Sequence, residues 1–167
     1  RLPILLKGVQ TWEDAVQAYE MGLAGVVLSN HGGRQLDFAR SGVEVLEEVM
    51  RELRKRGSFP NPAFQVMVDG GFRRGTDILK ALAMGATAVG IGRPFLYAYS
   101  AYGVDGVIHA INLLRDELEM NMRLIGARSI EELVPSMVDL SALHNHTGAV
   151  FPKQDQSVLD FMEKSRL

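Results

Sequence analysis

Apolar and polar positions along this chain switch between a period of two and a period near 3.6, and the switches mark four repeats of a short strand followed by an amphipathic helix. Leu2-Pro3-Ile4-Leu5-Leu6-Lys7 reads as the first strand, ending at Lys7. Thr11 and Asp14 then form a capping-box pattern, and Trp12, Ala15, Val16 and Tyr19 recur at helical spacing until Gly22. Gly25-Val26-Val27-Leu28 is the second strand. A helix from Val43 to Arg56 carries Val43, Leu46, Met50 and Leu53 on one face, with Glu47 and Arg51 spaced for a surface ion pair, and Pro60 and Pro62 close that unit. Phe64-Gln65-Val66-Met67-Val68 is the third strand; the helix through Ile78, Leu79 and Leu82 stops at Gly85, and Thr87-Ala88-Val89-Gly90-Ile91 is the fourth. The pattern predicts a long helix from Val104 to Ile125 after Pro94, with Val107, Ile111, Leu114, Leu118 and Met122 as its buried stripe. Ser129 and Glu132 predict one further capped helix, and from His144 the sequence turns polar and irregular, as in a tail.

Short strands separated by helices demand right-handed crossovers, and therefore a parallel sheet whose loops gather at the strands' C-terminal ends. Helix, glycine stop and strand recur twice in similar words, Ala18-Tyr19-Glu20-Met21-Gly22 before Val26 and Ala81-Leu82-Ala83-Met84-Gly85 before Val89. Four such units make half of an eight-stranded barrel, a fold of about 250 residues. The expected fold class is thus α/β, half of a (β/α)8 TIM barrel at residues 1–143, with C-terminal helices, followed by a tail at 144–167. A free-standing open sheet is the alternative, but it needs helices on both faces.

Composition narrows the chemistry. With 167 residues, 47% hydrophobic, and a net charge of -2, the chain has the make-up of a globular domain with no basic footprint for nucleic acid. No apolar run is long enough to cross a bilayer, so neither nucleic acid nor a membrane is expected as a partner. Cysteine is absent, which excludes disulfides and thiolate metal sites. Because the chain opens on an apolar strand without an initiator methionine, it is expected to be a piece of a longer protein.

The candidate chemistry lies in the loops after the strands. Lys7 puts an ammonium at the rim. Ser29-Asn30-His31-Gly32-Gly33-Arg34-Gln35 sets an imidazole and a guanidinium three residues apart, a base beside a group that can grip a carboxylate with two parallel hydrogen bonds. Taken singly, each of these residues is explained as well by a solvated loop; clustered at one rim, they point to a site. Asp69-Gly70-Gly71-Phe72-Arg73-Arg74-Gly75 and Gly90-Ile91-Gly92-Arg93-Pro94 place glycines and an arginine before helices whose N-termini attract anions, as a phosphate site requires. Tight turns would account for the glycines equally well. His109, His144 and His146 are better explained by a polar helix position and a solvated tail than by metal ligation, and no metal is expected.

Together these four stretches, continuing through Phe95 and Leu96, resemble the FMN-dependent 2-hydroxy-acid oxidase and dehydrogenase family over roughly Leu2 to Leu143. The resemblance implies the C-terminal half of a flavin-binding (β/α)8 barrel and FMN as cofactor. It implies that Lys7 contacts the flavin's N1 and O2 edge, that Ser29 also touches the flavin, and that His31 is the base while Arg34 holds the substrate carboxylate. Asp69, Gly70, Gly71, Phe72 and Arg73, with Gly92 and Arg93, would bind the ribityl phosphate. The implied reaction oxidises a short 2-hydroxy acid of the lactate or glycolate type, with oxygen or a cytochrome as acceptor, in a protein that forms homo-oligomers when complete. The carboxylate that orients the histidine and the pocket tyrosines belong to the absent half, and Asp37 does not replace that carboxylate. Ser165-Arg166-Leu167 resembles a peroxisomal address, the alternatives being cytoplasm or mitochondrion. Two rival readings are a non-catalytic flavin- or phosphate-binding half barrel, inactive without its other half, and an FMN barrel acting on phosphorylated substrates.

Overall fold

The computed structural model describes residues 2–143. His144, His146 and Ser165-Arg166-Leu167 therefore lie outside the described residues. Four strands, β1 (Leu5–Val9), β2 (Gly25–Leu28), β3 (Gln65–Asp69) and β4 (Ala88–Gly90), form one parallel sheet in sequence order. Helices α1 (Trp12–Glu20), α2 (Gly42–Lys55) and α3 (Gly75–Met84) make the crossovers, and α4 (Arg93–Leu124) follows β4.

Helices α1 and α2 begin where the sequence supplies a side-chain cap. Thr11 accepts the amide of Asp14 at the head of α1, and a capping box of Ser41 and Glu44, which the pattern alone did not flag, opens α2. Gly85 ends α3 at φ 114, in the left-handed region that a side chain would strain. The register aligns Leu28 with Val68 and Val26 with Val66, and all four side chains are buried. They form one core with Val45, Leu46, Val49, Met50 and Leu53 of α2. In the alternate layer Lys7, Val27, Met67 and Ala88 stand in register on the opposite face, where none is buried. Among the described residues the sheet thus has one face covered by helices and one face bare.

Several expectations are corrected. β1 does not end at Lys7: it runs to Val9 through an irregularity at Gly8, so the ammonium leaves the strand one pair before its end. The long helix begins at Arg93 rather than Val104 and bends at Gly103, whose φ of 63 breaks the helical run. Its expected stripe is only half buried: Leu118 and Met122 pack beside Leu79, Leu82 and Ala83 of α3, whereas Ile111, nearer the helix start, is 48% exposed. Ser129 and Glu132 frame only one turn of 3-10 helix, Ile130–Glu132; Ser129 makes no side-chain cap bond, and Glu132 instead accepts the amide and guanidinium of Arg128. Among the described residues no helix is long and apolar enough to cross a membrane.

The long helix is tied to α3 by Glu117. One carboxylate oxygen accepts the Arg74 guanidinium, and the other accepts the Gly75 amide at 2.5 Å. The Arg74 hydrogen bond, then that amide, holds the Glu117 carboxyl below its ordinary range. A carboxyl held low in the folded state stabilises it above the ordinary carboxylate range and loses that effect as pH falls through the depressed value. Glu117→Gln should therefore lower the melting temperature at neutral pH, with the gap from the parent closing as pH is taken down below about 4. Thermal unfolding followed by circular dichroism between neutral and acid pH measures this, and a gap that does not change with pH would contradict it.

Candidate active site

Register decides which side chains meet. Lys7 lies level with Val27 and Met67, one layer below the loops, and its side chain reaches up across the sheet. Its Nζ donates to Ser29 Oγ at 3.1 Å and pairs with Asp69 Oδ2 at 3.2 Å. One ammonium thereby joins the ends of β1, β2 and β3. Ser29 is 1% exposed, and its hydroxyl also accepts the His31 amide at 3.1 Å, so the buried oxygen is fixed from two sides.

Beyond Ser29 the chain makes one tight turn, His31–Gly33. Asn30 caps it, accepting the Gly33 amide at 3.1 Å while donating to the Arg40 carbonyl. Arg40, missed by the pattern because nothing marks a loop arginine as structural, forks onto both Glu48 oxygens and reaches the Gln10 carbonyl at 2.7 Å. The Glu48 hydrogen bond raises the Arg40 pKa further, keeping it a permanent cation that staples the loop to α2. Gly8 was also missed. A Cβ there would sit 2.8 Å from His31 Cε1, so the imidazole packs directly on the Gly8 backbone. A glycine just before a strand's end was the available signal, since it marks a bulge or a close approach.

The β3 and β4 loops complete the surround. Gly70 and Gly71 take φ 88 and 85, and a Cβ on Gly71 or Gly92 would meet nothing within 4 Å, so both backbones face open space. Phe72 is 3% exposed and anchored in the main core, so what it offers the site is its backbone. The N-terminus of α3 differs from the expectation of a free anion site: Asp77 accepts the amides of Arg73 and Arg74, and Glu117 takes that of Gly75. The head of α4 carries no side-chain cap, with Pro94 in its first turn. Arg93 Nη2 donates to the Gly32 carbonyl at 2.7 Å, closing the circle from the β4 loop back to the β2 loop.

What results is an open cleft of ≈ 850 Å³, within the roughly 300–1,000 Å³ usual for ligand sites, and lined by His31, Arg34, Asp69, Gly70, Gly71, Arg73, Gly92 and Arg93 among others. Lys7 and Ser29 are not part of its lining but are bonded to it, Lys7 to Asp69 and Ser29 to the His31 amide. Leu96, and Tyr97, which the sequence did not single out, extend the wall. Among the described residues the guanidinium groups of Arg34 and Arg73 have no partner, and Asp69 Oδ1 is buried without one. His109 lies away from this cleft, on an apolar groove of α4. Asp37 is exposed and caps its neighbour's amide, with no link to His31.

A parallel α/β sheet with a basic, glycine-lined cleft at its C-terminal edge defines a protein that binds an anionic cofactor or substrate there. The family model of FMN-dependent dehydrogenases matches residues 1–140, and the chain belongs to that family, whose cofactor is FMN. It is 59% identical over 145 residues to an L-lactate dehydrogenase (cytochrome) of Wickerhamomyces anomalus, covering 87% of this chain and 25% of the relative. A peroxisomal (S)-2-hydroxyacid oxidase of Arabidopsis thaliana is 49% identical, with 82% of this chain and 36% of the relative covered. Among solved structures, the recombinant flavin-binding domain of baker's yeast flavocytochrome b2 superposes with a TM-score of 0.82 at 53% identity, over 96% of this chain and 39% of that one. The chain thus spans about a quarter to two fifths of the proteins it matches.

Gly8→Ala would place a methyl against the imidazole on a backbone at φ 98. The expected cost is about 1–3 kcal/mol from backbone strain alone, with the His31 ring displaced. Chemical denaturation measures the first effect and the imidazole NMR resonances the second; unchanged stability and shifts would contradict the packing described.

Proposed function

We propose that this chain is the C-terminal half of an FMN-binding (β/α)8 barrel that oxidises a short 2-hydroxy acid, of the lactate or glycolate type, to the 2-oxo acid. Two observations support the half barrel. Among the described residues the sheet is bare on the face that carries Lys7, Val27 and Met67, and it ends in unpaired edges at β1, with Leu5 and Leu6 38% and 45% exposed, and at β4. A complementary set of four βα units would cover both. In this reading residues 1–143 form the barrel half and 144–167 a tail.

The residues present fit FMN. A dianionic phosphate suits Gly70, Gly71, Arg73, Gly92 and Arg93, where open glycine backbones adjoin two guanidinium groups. A ribityl hydroxyl is the donor that the buried Asp69 Oδ1 lacks. The Lys7 ammonium, held by Asp69 and Ser29, would lie against the N1 and O2 edge of the ring, with Ser29 beside it. When bound, FMN supplies the two-electron oxidising power for the reaction.

The chain's own residues do the rest. Arg34 holds the substrate carboxylate in the cleft through its planar fork. His31, packed on Gly8 and fixed at its amide by Ser29, takes the proton released as the hydroxyl-bearing carbon is oxidised. The observation that carries this reading is the convergence of His31, Arg34 and the two glycine loops on one cleft, with Lys7 paired to Asp69 of its lining, since proton removal, carboxylate binding and cofactor binding must occur within a few ångströms. The rival reading of an enzyme for phosphorylated substrates explains the phosphate loops but not the pairing of His31 with Arg34.

The acceptor divides the proposal. Higher identity to a cytochrome-coupled lactate dehydrogenase favours a cytochrome, whereas the similarity to a peroxisomal (S)-2-hydroxyacid oxidase supports oxygen. Assay of the complete protein with lactate and glycolate, with oxygen or cytochrome c as acceptor, separates them.

In the complete barrel, His31→Gln should lower kcat by about 10²–10⁴-fold with FMN retained, and Arg34→Lys should raise KM steeply. Steady-state kinetics with flavin absorbance checks both; undiminished turnover in the first, or an unchanged KM in the second, would remove the assigned role. The isolated chain should not turn over any 2-hydroxy acid, and reduction of its flavin by lactate would contradict the need for the other half.

A further inference from the structure

The turn that carries His31 holds a conformation its sequence would not choose. His31, Gly32 and Gly33 take φ 57, 67 and 70, three successive residues in the left-handed region, where a histidine pays about 1–2 kcal/mol. Asn30 satisfies the Gly33 amide from within the loop, through its carbonyl and its side chain. Two bonds come from outside the turn: Ser29 Oγ accepts the His31 amide, and Arg93 Nη2 donates to the Gly32 carbonyl at 2.7 Å. Arg93 arrives from sixty-one residues further on, at the head of α4. The contact depends on Gly32 being glycine, because a Cβ there would stand 3.0 Å from the same guanidinium nitrogen.

A guanidinium carries five donors in a rigid fork, so one spent on Gly32 leaves others for an anion in the cleft. We propose that Arg93 is a positioning residue that couples the phosphate cradle to the His31 turn. An oxyanion bound at Gly92 and Arg93 fixes the fork, the fork fixes the Gly32 carbonyl, and the carbonyl holds His31 in its left-handed geometry. Arg73 lines the same cradle but makes no bond to the turn. Binding of the phosphate end of a cofactor would thereby order the proton acceptor, an effect that rests on the role proposed for His31, although the coupling itself stands on the Arg93 contact.

Hydrogen exchange read by mass spectrometry tests this without substrate or flavin. The probe is inorganic phosphate, and the reporters are the His31 and Gly33 amides in peptides spanning residues 29–36 of the 167-residue chain. Arg93→Ala should speed exchange there by about tenfold, the loss expected for one charge-assisted hydrogen bond, while peptides from β2 and α2 keep the parental rate and report that the fold is intact. Excess phosphate should slow exchange of the turn in the parent and not in Arg93→Ala. Arg73→Ala should weaken the phosphate effect but leave the phosphate-free rate unchanged. Arg93→Lys, which keeps a cation but cannot serve both partners, should exchange as fast as Arg93→Ala. A parental rate in Arg93→Ala, or equal slowing by phosphate in its presence and absence, would overturn the coupling. Failure of His31→Gln to lower turnover would instead refute the base assignment and leave this result standing.

Discussion

One ammonium sits where three strand ends must meet. Lys7 bonds to Ser29 and pairs with Asp69, and Ser29 in turn fixes the His31 amide, so the β1, β2 and β3 ends share a single polar junction. Such a junction is possible only because the strands run parallel and in register, which brings Lys7 level with Val27 and Met67 and lets a four-carbon stem reach the layer above. The buried core on the other face, Val26, Leu28, Val66 and Val68 against α2, keeps that register from slipping by a residue. Packing on one face of the sheet therefore sets the chemistry on the other.

Around that junction the loops are held by short bonds between residues far apart in sequence. Arg40 ties the β2 loop to Glu48 and Gln10, Glu117 ties α4 to the start of α3, and Arg93 ties the β4 loop to Gly32. Each removes freedom from a segment that must keep a charged or polar group in place. Glycine supplies the remaining geometry, at Gly8 where an imidazole needs the space of a Cβ and at Gly32 where a guanidinium does. The site is preorganised by the chain's own contacts, which is how binding groups are held ready for a ligand.

How much of this was legible in the sequence depends on the range of the interaction. β2 and the stop of α3 at Gly85 follow from local pattern and left-handed glycine chemistry, and both lie where the sequence placed them. The strand ends shifted by a residue or two because pairing partners, not the strand's own residues, decide where a ladder stops: Val9 pairs with Leu28 although Gly8 interrupts the run. The stripe of α4 was legible as a period but not as burial, since the period cannot say whether a neighbour is there to cover it. Candidate site residues were legible as loop clusters after strands. Their connections were not, because the pairing of Lys7 with Asp69 spans two crossovers and the reach of Arg93 to Gly32 spans sixty-one residues. The closure of the α3 N-terminus by Asp77 and Glu117 was hidden for the same reason.

The central claim is spatial: one cofactor lies across the mouth formed by all four loops. A crystal structure of the complete protein with FMN tests it most directly. The account requires the phosphate beside Gly92, Arg73 and Arg93, the edge of the ring on Lys7, and His31 and Arg34 facing the same open side of the ring. Density for the flavin elsewhere, or Lys7 turned away from its ring, would contradict the account.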